Sequence, residues 1–358
     1  MSLAMDSPEW FLSGIQQIGV GVPDVMEAFA WFRTSFGTDV PIFDDAGEAP
    51  FMTRYTGNAV HSRHAILAAN LHGGGAFEIW QFTSRAPSPM PAAPALGDFG
   101  IFSPRLKAPD VGAAFDALRA AGVEILGKVA TDPAGRGQFF VRDPQGLSYQ
   151  VVEGQDWLSK GGTTGGVAGA MIGVSDVDRS RRLYSDILGY DEVIYDESGR
   201  FDDLSPLSGG EGRFRRVLLG HSAVRVGAFS RLLGQSRIEL VQALDRSPRK
   251  LFEGRFWGDI GFIQICFDIY GMDRLHAVCE GAGYPVTVDS ADAFDMGEAS
   301  GRFCYIEDPD GTLIEFVETH RIPILKKIGW YLNLEKRNPR RPLPNWMVGA
   351  LGLGRVRD

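Results

Sequence analysis

The sequence predicts an α+β fold of four β-α-β-β-β units, and three observations carry that expectation. The stretch FCYIEDPDGTLIEFVE, residues 303–318, reads as a β-hairpin. Its apolar residues alternate on both sides of the turn Asp308-Pro309-Asp310-Gly311, where proline presets φ and glycine can take φ > 0. The hairpin recurs as FFVRDPQGLSYQVVE, residues 139–153, with Asp143 aligning on Asp308. Finally, IGVGVPDVMEAFAWF from Ile18 returns as MIGVSDVDRSRRLY from Met171, and AFEIWQF (76–82) returns as RIELVQA (237–243). A repeat of this length marks two halves of one design.

In chain order, residues 15–22 form a short apolar strand, and Asp24 caps a helix with Glu27 three residues on. Met26, Phe29, Phe32 and Phe36 are its expected apolar stripe, ended by Gly37. Strands at 63–70 and 76–82 follow. The second unit repeats the order with a strand at 101–108, a helix capped by Asp110, and the DPQG hairpin. Residues 156–166 are polar and Gly-rich, the natural linker. The third unit has a helix capped by Asp176 and strands at 193–196, 214–219 and 238–243. The fourth has a strand at 261–269, a helix near 272–279, and the closing hairpin.

One residue of that hairpin stands out. Glu315 sits between Ile314 and Phe316 on a strand apolar on both faces. A carboxylate there is costly unless it is paired, hydrogen-bonded or bound to a metal.

Composition narrows the function classes. With 358 residues and 44% hydrophobic content the chain can bury two sizeable cores. A net charge of -9 argues against nucleic acid as partner. No apolar run approaches the ~20 residues that span a bilayer, and the first residues do not form a signal peptide. The opening Met-Ser-Leu is left out of the fold. Cys266, Cys279 and Cys304 lack metal-type spacing and are expected to be reduced, buried thiols of a cytoplasmic protein. The expected partner is a small molecule, and a homodimer is left open.

Paired units carrying DPDGTLIEFVE and GVGVPDV resemble the vicinal oxygen chelate superfamily: glyoxalase I, bleomycin-resistance proteins, methylmalonyl-CoA epimerase and extradiol dioxygenases. The resemblance spans about residues 14 to 320. It implies two glyoxalase-like half-barrel domains, 14–155 and 167–320, each pairing two units into a metal-holding cup. An extension, 1–13, and a basic tail, 321–358, flank them.

Carried over by position, the first half offers Gln17, Glu78, Ser103 and Gln150. One carboxylate and two amides make a poor divalent-metal site, so this half is expected to be structural or a substrate wall. The second half offers Gly169, Glu239, Gln264 and Glu315. The resemblance therefore implies a divalent cation (Mg²⁺, Mn²⁺, Zn²⁺ or Ni²⁺) held by Glu239, Gln264 and Glu315. Glu239 or Glu315 would double as the base. The competing expectation is that both glutamates are strand carboxylates satisfied by Arg213, Arg215 or Arg237.

The implied reaction is proton transfer next to a carbonyl, of isomerase, epimerase or lyase type. The alternative class is a protein that binds or sequesters a small molecule without chemistry. Ring-cleaving dioxygenase activity ranks lower, because Gly169 and Gln264 stand where ferrous iron requires histidines. His221, Trp257 and Tyr305 are the expected substrate-pocket residues, His221 as an acid or base at the cup mouth.

The tail holds nine Lys/Arg against two acids, interleaved with Ile324, Leu325, Ile328, Trp330, Tyr331, Leu332 and Leu334. Such a segment can bind a membrane surface or dock on its own acidic body, and docking is the expectation taken here. Its prolines predict an extended later part.

Overall fold

The computed structural model describes residues 10–291, 294–295, 300–325 and 329–356. Unit one comprises β1 (Phe11–Gly21), α1 (Val25–Phe36), β2 (Val40–Glu48), β3 (Ser62–Ala69) and β4 (Ala76–Phe82). Unit two comprises β5 (Gly100–Ala108), α2 (Val111–Ala120), β6 (Glu124–Thr131), β7 (Gly137–Arg142) and β8 (Ser148–Glu153). Unit three runs β9 (Val167–Gly173), α3 (Val177–Tyr184), β10 (Glu192–Gly199), β11 (Phe214–Gly220), α4 (Ser230–Leu233) and β12 (Arg237–Ala243). Unit four runs β13 (Gly261–Tyr270), α5 (Met272–Gly281), β14 (Val288–Asp289), β15 (Phe294–Asp295), β16 (Ser300–Glu307) and β17 (Leu313–Leu325). The tail adds β18 (Trp330–Asn333) and α6 (Asn345–Ala350).

The local signals act as the sequence implies. Asp24, Asp110 and Asp176 accept helix-opening amides at 2.9 Å from Glu27, Ala113 and Arg179 respectively, each satisfying one orphan donor. Gly37 closes α1 at φ 61°, a conformation open to glycine at little cost. Met26 departs from the expected stripe: it is exposed, and Val25 is buried instead. In the closing hairpin Asp308 accepts from the amides of Asp310 and Thr312 at 2.9 and 2.8 Å. Tyr184 of α3 donates to the same carboxylate at 3.1 Å, tying unit three to unit four.

Strand pairing corrects the expected domain pattern. The two halves of the chain do not each close into a cup. In the ten-stranded sheet the order is β14-β16-β17-β13-β1-β4-β3-β2, with β15 also pairing β16 and β18 pairing β17, which joins unit one to unit four. In the eight-stranded sheet it is β10-β11-β12-β9-β5-β8-β7-β6, which joins unit two to unit three. Each seam is antiparallel, β1 with β13 and β5 with β9, and each seam strand lies parallel to its own unit's last strand.

The helices and the convex faces of both sheets share one core, including Ile18, Phe32, Phe77, Tyr149, Leu183 and Phe267. Tyr149 of the second sheet meets Phe77 and Phe262 of the first edge-on, centroids 5.9 and 5.3 Å apart. Packing the convex faces together leaves both concave faces turned outward as cups. The three cysteines are free and buried.

The tail docks on the molecule chiefly through apolar contacts, joined by an ion pair from Arg355 to Asp39. Leu343 and Val348 are buried against Val40, Leu67 and Ala69 on the concave face of the ten-stranded sheet. The part expected to be extended contains α6. Residues 1–3 and Ile328 lie outside the described residues, as do the side chains of Ile324, Leu325 and Trp330. No helix among the described residues is long and apolar enough to cross a membrane.

Candidate functional site

The four central strands of the ten-stranded sheet bring two carboxylates and two amides together. Gly19 of β1 stands opposite Gln264 of β13 and beside Glu78 of β4, while Cys266 stands beside Glu315 of β17. Gln17 Nε2 lies 3.3 Å from Glu78 Oε2 and 3.4 Å from Glu315 Oε2. Gln264 Nε2 donates to Glu78 Oε2 at 2.8 Å. Tyr305 of β16 and Cys266 of β13 stand beside Glu315 on the two neighbouring strands. Thus Gln17 and Glu78, expected to be structural or a substrate wall, share one cup with Gln264 and Glu315.

The electrostatics are those of two acids forced together. Burial pushes Glu78 upward, partly offset by Arg63. Burial, then the charge of Glu78, pushes Glu315 upward too. Arg63 does not discharge the pair, because its Nη1 contacts both the carboxylate and the carbonyl of Asp45 at 2.6 Å. Gln17 Oε1 is buried and has no hydrogen-bond partner.

Gln264 is held in one orientation. Trp257 Nε1 donates to its oxygen at 3.0 Å, and an indole N–H can only donate. The amide nitrogen of Gln264 is thereby turned to Glu78. Trp257 also meets Trp80 edge-on at 4.2 Å and Tyr305 at 6.4 Å. Trp257 and Tyr305, expected as pocket residues, both border this cluster.

Gly19 makes this arrangement fit. A Cβ on it would stand 2.5 Å from the carbon, nitrogen and oxygen of the Gln264 amide. Gly19→Ala is expected to displace Gln264 and destabilise the protein by about 1–3 kcal/mol, the usual cost of overpacking. Thermal unfolding beside the Trp257 indole N–H resonance checks this. An unmoved indole signal would mean that the amide never depended on that space.

The second cup uses the equivalent positions differently. Glu239 of β12 is fully buried and lies with Met171, Ser103, Gly169 and Gln150 in the eight-stranded sheet. Arg105 Nη1 bonds its Oε2 at 2.7 Å, and Arg216 Nε bonds its Oε1 at 2.7 Å. Tyr195 donates to Oε1 at 2.8 Å, and Arg216 also holds Asp203 at 2.9 Å. Burial would push Glu239 up, but Arg216 and Arg105 outweigh it and hold the carboxyl low. Two guanidinium groups thus supply this cup's positive charge.

Glu239 therefore does not join Gln264 and Glu315, because it belongs to a different sheet. Its partners are not Arg213, Arg215 or Arg237 either. Arg215 faces the opposite side and pairs with Asp178 and Asp196 at 2.7 and 2.8 Å. His221 is also away from the cups. Its Nδ1 lies 2.8 Å from the Gly189 carbonyl, its ring meets that of Tyr190 at a tilt with centroids 4.1 Å apart, and Arg225 contacts it. Burial, with Arg225, lowers it to about 3, so it stays neutral as a core residue.

Sequence reasoning passed over Arg105 and Arg216. The available signal was an arginine on each of two otherwise apolar strands, GIFSPRLKA and FRRVLLG. Gly19 against Met171 was another, since an open position in one cup is filled in the other.

Comparison with known proteins agrees with this architecture. A lactoylglutathione lyase of Haemophilus influenzae is 24% identical over 148 residues, 41% of this chain and 88% of that protein. The crystal structure of glyoxalase I from Zea mays superposes with a TM-score of 0.51 at 12% identity, covering 85% of this chain and 92% of that one. A putative dioxygenase from Bacillus subtilis gives 0.54 at 15% identity, with 86% of each chain covered. These two likenesses show the fold. The family model for the Glyoxalase/Bleomycin resistance protein/Dioxygenase superfamily matches residues 14–151 and 166–316, and the chain belongs to that superfamily.

Proposed function

We propose that the cup of the ten-stranded sheet is a divalent-cation site for proton transfer next to a carbonyl, of isomerase, epimerase or lyase type. The observation that carries this reading is the buried pair Glu78 and Glu315 around Gln17, with no salt-bridge partner for either carboxylate among the described residues. The donor set fits a hard cation. It is rich in oxygen, and Gln17 Oε1 is a buried acceptor without a partner. Gln17, Glu78 and Glu315 would hold the ion, and Gln264 would keep Glu78 in place through its amide N–H.

A bound cation supplies Lewis-acid polarisation of the substrate's oxygen. Glu315 takes the proton from the carbon beside the carbonyl, as a buried carboxylate with no guanidinium partner among the described residues. Tyr305 and Cys266 flank the same carboxylate from the neighbouring strands and limit its movement. Returning the proton to the neighbouring carbon completes an isomerisation, and the cup's apolar wall limits water.

Protein purified without chelator and dialysed against Mn²⁺, Zn²⁺ or Ni²⁺ is expected to retain about one ion per chain, because guanidinium groups fill the second cup. Glu78→Ala should lose it. Proton-deuterium exchange, followed by NMR with 2-oxo acids, hemithioacetals and acyl-CoA esters, then reports the chemistry. Equal ion content in the parent and Glu78→Ala would remove this site from the reading.

A further inference from the structure

We propose that the C-terminal strap forms a wall of this site and restricts its ligand to a compact, uncharged α-hydroxycarbonyl compound with an apolar body. The inference rests on the proton-transfer reading above and names its substrate class. The strap lies beyond the stretch matched by the superfamily, which ends at residue 316. Ile322, Leu343 and Val348 belong to one apolar cluster with Leu67 and Ala76. Leu67 is the residue opposite Glu78 across the β3/β4 ladder, and Ala76 precedes Glu78 by two positions on the same face. On that side of the carboxylates the concave face is therefore filled by the chain itself.

The strap is pinned, not draped. Leu343 N donates to the Ala228 carbonyl at 2.8 Å, Gly227 N to that of Arg340 at 3.3 Å, and Val356 N to that of Asp39 at 2.9 Å. Arg355 pairs with Asp39 at 3.4 Å.

Among the described residues, the wall beside the Gln17 and Gln264 amides and the buried carboxyl of Asp268 is otherwise mostly apolar. Glu78 and Glu315 keep 7% and 6% exposure. Leu67, Ala76, Phe303, Val317, Ile322 and Arg63 around them keep 7–9%. Arg63 alone among these six is charged, and Asp45 already holds it. A glutathione adduct carries two carboxylates and an ammonium, and enclosing unpaired charges is strongly unfavourable. An aryl or alkyl α-hydroxycarbonyl compound brings adjacent oxygens to the acids and an apolar body to the wall.

The test compares 2-hydroxyacetophenone with the hemithioacetal of methylglyoxal and glutathione. Tryptophan fluorescence of the metal-free full chain reads binding, and proton-deuterium exchange in the cation-loaded protein reads turnover. The expected result is at least about tenfold tighter binding of 2-hydroxyacetophenone. Leu343→Ala should narrow that preference by about tenfold, the scale of a side-chain-sized change in an apolar pocket. Ile322→Ala serves the same purpose should Leu343→Ala fail to fold by circular dichroism. Equal or tighter binding of the glutathione adduct by the parent overturns the proposal, as does an unchanged preference in the folded variants. Loss of cation binding with no exchange on any compound would instead overturn the proton-transfer reading, while fluorescence still decides the substrate class.

Discussion

Glu239→Ala is expected to lower stability by about 3–5 kcal/mol, the usual cost of removing one partner from a buried ion network. The variant leaves Arg105 and Arg216, at 1% and 0% exposure, with a cationic excess inside the second cup. Asp203 still neutralises part of Arg216, so Arg105 bears most of the loss. Urea denaturation at neutral pH measures the effect, with the slope checked for unchanged two-state behaviour. A loss below about 1 kcal/mol, the scale of an exposed pair, would mean that the network does not hold this cup together. Replacing Arg105, Glu239 and Arg216 together by apolar residues of similar volume should cost far less, because no unpaired charge is left behind. Ion retention in the other cup is expected to survive the single change, which separates the two cups functionally.

The elements were legible because their signals are local. The aspartate caps, the two DPxG turns and the alternation around Glu315 each act within a few residues, and each stands where the sequence put it. The partner of each cup was not legible. Units one to four carry one pattern, so pairing one with two or one with four buries similar faces and satisfies the same ladders. Only contacts remote in sequence distinguish them, such as Gln264 with Glu78 and Arg105 with Glu239. That choice also misassigned the site. Glu315 and Gln264 were singled out together because they share a unit. Glu78 was set aside because its unit was matched with the wrong neighbour, and Glu239 was brought in for the same reason. The fate of each carboxylate follows from the residue placed next to the neighbouring strand's ligand position. In the second cup Arg105 faces the strand of Gln150, and in the first Cys266 faces Glu315. A guanidinium satisfies a buried carboxylate from within, and a thiol does not.

Glu315→Gln is expected to stabilise the cation-free protein at alkaline pH while abolishing cation retention. Burial first, and then Glu78, raise Glu315 from 4.5 to about 8. A carboxylate raised in the folded state contributes stability that is fully present below its unfolded value. That contribution is lost as pH rises through the folded value. Between about pH 4.5 and pH 8 the cation-free parent should therefore weaken by a few kcal/mol, one pKa unit being about 1.4 kcal/mol. Glutamine keeps the shape and lacks the titration, so the two proteins should match near pH 4.5 and diverge by about 2–4 kcal/mol at pH 8. Added Mn²⁺ or Zn²⁺ should close most of that gap. The parent gains about 2.7 kcal/mol at a concentration one hundred times its Kd, by mass action, and the variant gains nothing. Urea midpoints across pH, with and without the ion, test both halves. Parallel curves for the two proteins would mean that Glu315 carries no charge penalty in the folded state. An equal gain from the ion would place the cation elsewhere.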